Sequence, residues 1–170
     1  YVLGLARAMA RRTPTTLLSF GDVAREETED GLRIRVVSGA WAVRGQFGNP
    51  VHPAIVREAL RAEVVHCHQT HVLASSLTAV LRRIARGSVF TTDLGGGGWD
   101  ISGYVDTDSW YDGHLHISDY SRKIFGHQDR PSARVILGGI DLDRFTPSPA
   151  APSRDFVLFV GRVLPHKGVD

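Results

Sequence analysis

Arg162 and Lys167 stand five positions apart behind an apolar run, Phe156 to Val160, that ends on Gly161. A strand that closes on glycine has no Cβ at its tip, so its backbone can approach a ligand closely. Pro165 suits the first turn of a helix, whose free N–H groups and positive dipole end would face the same place. A guanidinium fork, a mobile ammonium and a helix start together make a diphosphate clamp. By pattern alone, ordinary surface charges are the commoner reading of two such cations.

Four other groups of residues invite chemistry. Gly95 to Gly98 follow a strand-like run, and four glycines would let backbone N–H groups approach a phosphate or a sugar. They do not form the G-x-G-x-x-G pattern of dinucleotide sites, and a plain loop is the competing reading. His66, Cys67, His68 and His71 suggest zinc, because imidazole and thiolate suit that ion. Alternation on a strand turns Cys67 away from His66 and His68, and no second cysteine pair exists, so no metal is expected. Asp106, Asp108 and Asp112 include an Asp-x-Asp triplet beside Trp110 and Tyr111, for which a solvated loop or a helix cap is the simpler account. Trp99, Tyr104, Trp110 and Tyr111 offer ring faces for stacking on sugars or for packing the loop.

The elements that would position these groups alternate. Val2, Leu5, Ala6 and Met9 recur at helical spacing, and Thr15 to Phe20 and Leu32 to Val37 read as strands. Pro53 to Arg61 reads as a helix with Ile55, Ala59 and Leu60 on its apolar side. Glu63 to His68 is a strand, and the next helix carries the stripe Leu73, Leu77, Val80, Leu81 and Ile84, with Thr70 as cap and Gly87 as stop. Strands at Ser88 to Thr92, Leu115 to Ser118 and Arg134 to Leu137 follow, with a helix over Asp119 to Phe125. This order predicts an α/β fold: a Rossmann-like parallel sheet with helices on both faces, ligands collecting beyond the carboxyl ends of the strands. Three prolines between Thr146 and Ser153 suit a linker, so residues 1–145 read as one domain, 146–154 as the linker and 155–170 as the start of a second. An uncapped helix at the start and a lone strand at the end suggest a fragment.

Composition narrows the classes. At 170 residues with 42% apolar and 22% charged side chains, the chain is neither disordered nor a coiled coil. The net charge of +2 gives no argument for nucleic acid. No apolar run approaches a membrane span, and the single cysteine fits a reducing compartment, so a cytoplasmic location is expected. Only two lysines occur, Lys123 and Lys167, which gives the second added weight.

The stretch from Val157 to Arg162, with Lys167 to Asp170, resembles the opening of the donor domain in family 4 glycosyltransferases of the GT-B fold. Val135 to Pro147, His116 to Ser121 and Val64 to His68 resemble further segments of that family, in the same order. The resemblance implies two Rossmann-like domains, here the acceptor-side domain lacking its first strand and the first strand of the donor domain. It implies transfer of a sugar from a nucleoside-diphosphate sugar to a glycan, lipid or small-molecule acceptor, with retention of configuration. Gly161, Arg162 and Lys167 would hold the donor diphosphate, with no metal and no resident cofactor. His68, Gly96 and Ser118 would border the acceptor cleft. A lipid acceptor would add peripheral contact with the inner face of a membrane.

One departure bears on catalysis. Many members carry a His-Gly pair where this chain has Leu94 and Gly95, which leaves Asp93 and Gly95 as the catalytic candidates. The same leucine favours a competing reading, a sugar-nucleotide or glycan binding module without catalysis. A phosphate-binding domain of flavodoxin type is a third. The isolated 170 residues are expected to be inactive by themselves.

Overall fold

The computed structural model describes residues 1–94, 100–143, 145–146 and 159–161. The chain divides into two units, Tyr1–Gly139 and Ile140–Asp170. In the second, the described residues form a turn in which Asp141 accepts from the backbone N–H groups of Asp143 and Phe145. Most of the proposed linker and of the second domain's opening lies outside the described residues.

The first unit is mixed α/β. Helix α1 (Val2–Ala10) buries Ala6 against Leu32 and Ile34. Those two belong to β3 (Leu32–Val37), which pairs in parallel with β1 (Thr15–Phe20) and antiparallel with β2 (Arg25–Glu29). The charged run of β2 carries no apolar alternation, and all five of its residues are exposed. Its partner supplies the order. Asp30 and Gly31 both take positive φ in the connecting turn, the geometry that Asp-Gly favours between antiparallel strands. Across the pair, Arg33 donates to Glu26, and Arg35 bonds Glu58 of the following helix.

Two short strands, β4 (Trp41–Ala42) and β5 (Pro50–Val51), pair antiparallel and lead into α2 (Ala54–Arg61). The four-stranded sheet follows: β6 (Val64–Cys67), β7 (Ser88–Asp93), β8 (Gly113–His116) and β9 (Ala133–Val135), all parallel and adjacent in sequence order. Helix α3 (Leu73–Ile84) crosses from β6 to β7, and α4 (Asp119–Ile124) from β8 to β9. Cys67, Ala79, Val89 and Tyr111 pack the core between α3 and one face of this sheet. The other face, with His66, Phe90 and Leu115, lines a groove of about 270 Å³ against Tyr1, Leu5 and Met9 of α1. The strands therefore form separate ladders rather than the single parallel sheet expected.

Some expected faces are turned. Leu60 is exposed, although Ile55 and Ala59 are buried as expected. On α3 the apolar stripe is not the buried face: Val80 and Ile84 are exposed, while Ser75, Ser76, Thr78, Ala79 and Arg82 are buried. Small side chains let the helix lie close to the sheet, and their hydroxyls find partners in Gln69, Asp100 and Ala74. Thr70 does not cap α3. The first N–H, at Leu73, is taken by the side-chain oxygen of buried Asn49, and Thr70 bonds Thr91 instead. The strand expected at Leu115 to Ser118 begins earlier, at Gly113, and Ser118 becomes the cap of α4. No helix among the described residues is long and apolar enough to cross a membrane.

Arg82 is the polar keystone of the α2–α3 contact. Its guanidinium donates to the carbonyls of Ala59 and Glu63, and it fills the space that a Cβ at Gly87 would need. Arg82→Ala would take from the Ala59 carbonyl its Arg82 donor, leave the Glu63 carbonyl with the Ser88 N–H alone, and open a void beside them. The expected loss is about 2–4 kcal/mol of stability, read from urea unfolding; a change under about 0.5 kcal/mol would refute this role.

Candidate functional site

Polarity rises along the sheet toward the carboxyl ends of its strands. On β7, Val89 is an apolar core residue, whereas Thr91, Thr92 and Asp93 are buried polar side chains. The register sets Thr91 beside His114 and Asp93 beside His116, so two carboxyl-end groups of β7 sit next to two histidines of β8. Ser121, in the first turn of α4, donates to Asp93 at 2.7 Å. Asp93 thus lies at the end of a strand, just before the glycine run, in a position fixed by a hydrogen bond. The run itself (95–99) lies outside the described residues, and so do the candidates Gly95 and Gly96. Its far side is anchored at Asp100, which caps the turn at Ser102 and accepts from Ser76 of α3.

Behind Asp93 runs a string of hydrogen bonds. His116 Nδ1 meets Ser121 Oγ at 3.1 Å, and His116 Nε2 meets His127 Nδ1 at 3.1 Å. His127 Nε2 meets Asp108 Oδ2 at 2.9 Å. The other oxygen of Asp108 takes His71 Nε2 at 3.0 Å, and its backbone carbonyl accepts from His114 Nε2 at 2.9 Å. Asp108 comes from the loop before β8, His114 and His116 from β8, and His127 from the turn after α4. His71, with φ +56, opens the turn before α3. Asp108, His114 and His127 each offer a ligand atom within 4.8 Å of the others.

The electrostatics follow from burial and pairing. Burial pushes the Asp108 carboxyl up, but the imidazoles of His71 and His127 beside it outweigh burial and hold the group well below the usual carboxylate range. The bond to Asp108 raises His71. Burial pushes His114 down to about 4 and lowers His116 as well. The Cys67 thiol is raised to about 11 by burial, which makes it a core group rather than a nucleophile.

The sequence candidates fare differently. Asp93 is placed at a strand end as expected. Ser118 spends its hydroxyl on capping α4, accepting from Ser121 N at 3.0 Å. His68 stacks on His66 with ring centroids 4.2 Å apart, and its buried Nδ1 has no hydrogen-bond partner. Gly161 is exposed, and Arg162 and Lys167 lie outside the described residues. Cys67 points into the α3 core while His71 reaches Asp108, so the four residues weighed for zinc are not gathered. The Asp-x-Asp triplet is split too: Asp106 caps the Asp108 backbone, Asp112 accepts from Val89 N, and Asp108 turns into the histidine cluster. Sequence reading missed His114, His116 and His127; the legible signal was the H-x-H spacing at 114 and 116, which puts both rings on one face of a strand.

His66 gives the site a pH dependence that can be measured. Burial, aided by the neighbouring His68, lowers it to about 4, and its Nε2 contacts Thr92 Oγ1 at 2.6 Å. A histidine depressed in the folded state contributes stability above its unfolded value, and this is lost as pH falls toward the folded one. His71 has the opposite sign, favouring the fold below its ordinary value and losing that contribution as pH rises. Between pH 6.5 and 4.5 the His66 contribution should cost on the order of 1–3 kcal/mol, and His66→Gln should flatten the slope. Urea unfolding at a series of pH values checks this; parallel slopes for the two proteins would contradict it. Compared with known proteins, the chain matches no family model, no curated protein and no solved structure.

Proposed function

We propose that this chain belongs to a nucleotide-sugar-dependent glycosyltransferase of the family 4, GT-B type, transferring a hexose-like sugar with retention. In this reading, residues 1–145 are the acceptor-side domain and the residues from Asp155 open the donor side. Arg162 and Lys167 grip the donor diphosphate, and their charges offset the one that grows on the leaving group as the glycosidic bond breaks. Gly161 lets the backbone come close, and no metal is required at the diphosphate. Asp93 and the glycine backbone from Gly95 face the reacting sugar, with His68, Gly96 and Ser118 on the acceptor side.

The observation that supports this most is the placement of Asp93. A buried carboxylate ends the central strand β7 of a parallel sheet, and the glycine run begins two residues later. Ligands of such sheets collect at this edge. The Ser118 hydroxyl is engaged in its cap, so its acceptor-side role would be one of position.

Leu94 supports a second reading. With leucine in the place of the family's histidine, the chain would bind a sugar nucleotide or a glycan without turning it over. Incubating the full-length protein with nucleoside-diphosphate sugars and assaying transfer and donor hydrolysis separates the two.

The clamp has its own test. Arg162→Ala and Lys167→Ala, made separately in the full-length protein, should each weaken nucleoside-diphosphate-sugar binding by roughly 10–100-fold, the worth of one charged hydrogen-bonding partner. Isothermal titration reads this directly. Unchanged donor affinity in both variants would remove the basis of the reading.

A further inference from the structure

The string from Asp93 to Asp108 can be audited proton by proton. It contains four heavy-atom links: Asp93–Ser121, Ser121–His116, His116–His127 and His127–Asp108. Each link needs one hydrogen. A hydroxyl supplies one and a neutral imidazole one, while an ionised carboxylate supplies none. Three hydrogens therefore serve four links.

The direction of the string locates the deficit. Ser121 donates to Asp93, so its oxygen must accept from His116 Nδ1. His116 Nε2 is then an acceptor and takes its hydrogen from His127 Nδ1. That leaves His127 Nε2 with a lone pair, facing the carboxylate oxygen of Asp108 at 2.9 Å. Two electron pairs opposed at 2.9 Å in a half-buried place call for a positive charge between them.

His114 supplies an independent observation. It is 1% exposed, and its Nε2 N–H is spent on the Asp108 carbonyl. Its Nδ1 therefore carries a lone pair, and that atom is buried without a hydrogen-bond partner. An imidazole that gives its N–H to a backbone carbonyl and keeps the other nitrogen bare has the usual posture of a metal ligand.

The geometry points to a site for a divalent transition metal ion of the zinc class, held by the Asp108 carboxylate and by imidazole nitrogens of His114 and His127. Zinc–ligand bonds of about 2.0–2.1 Å in a tetrahedron set ligand atoms about 3.3 Å apart. Each of the three residues has one ligand atom within 4.8 Å of those of the other two, and the side chains would turn to close to this spacing around the ion. Two neutral imidazoles and one carboxylate are a familiar zinc donor set, and His71, on the second oxygen of Asp108, completes or steadies it. His116, Ser121 and Asp93 then form the outer shell that fixes the His127 tautomer. The proposal does not depend on the proposed diphosphate clamp. It departs from the sequence expectation of no metal, which had weighed a different set of histidines.

The test uses the whole chain, stripped with chelator and dialysed, then titrated with zinc chloride. About one zinc per chain should remain after gel filtration, with a rise in melting temperature. Cobalt(II) added instead should give the intense visible absorption of a four-coordinate ion. His127→Gln and His114→Gln should each abolish retention, His116→Gln should weaken it by about 10–100-fold, and His66→Gln should leave it intact. Should the ligand variants fail to fold, the cobalt spectrum of the parent chain decides alone. Lack of retained zinc and of a cobalt spectrum overturns the proposal, as does zinc lost with His66→Gln but kept with His127→Gln. In the metal-free case an imidazolium signature in the histidine nitrogen spectrum would identify a proton as the missing charge.

Discussion

The carboxylate of Asp108 sets the terms for the corner of the fold that matters most. A loop residue before β8 brings a negative charge into a half-buried cluster of rings, where water is scarce. Two imidazoles meet its two oxygens, His71 from the turn before α3 and His127 from the turn after α4. Residues far apart in sequence are thereby tied to one anion: the end of β6, the loop before β8 and the connection into β9. The parallel ladder aligns these strands, but its hydrogen bonds act within the sheet and do not fix the loops above it. The polar cluster does that. Its cost is desolvation, which ordinary packing would avoid, and polar groups bought at such a cost are commonly tied to specificity or function.

The same logic explains the polarity gradient along β7. A strand buried on both faces normally reads as a continuous apolar run. Here it turns to Thr91, Thr92 and Asp93, each buried. Every one of these has a cross-element partner: Thr70 for Thr91, His66 for Thr92 and Ser121 for Asp93. The partners come from both faces of the sheet, so the carboxyl end of β7 is braced from either side. A strand end braced in this way holds its terminal carboxylate in one place.

Much of this architecture was legible in the sequence, and the misses have definite causes. Strands at Thr15–Phe20 and Leu32–Val37 were found because local pattern and burial agree there. The β2 strand was missed because its five charged and polar residues lack alternation; the information lay in the Asp30-Gly31 turn that follows. On α3, hydrophobicity pointed to the wrong face, because close approach to the sheet selected small side chains over large ones. The placement of Asp93 at a strand end followed from the alternation of elements. The histidine cluster did not, since its members lie at 71, 108, 114, 116 and 127, and only the fold shows that these five meet. Spacing favoured the compact set at 66–71, whereas the structure divides that set between two faces of a strand.

The charge beside Asp108 also decides what Asp93 can do. With a cation between Asp108 and His127, the hydrogens of the string all run one way, from His127 through His116 and Ser121 to Asp93. Asp93 is then a pure recipient, a carboxylate steadied by a donated hydroxyl hydrogen. Such a group suits accepting a hydrogen bond and does not suit giving a proton away. The chemistry available at the strand end is therefore set behind the sheet edge, in the cluster that holds Asp108.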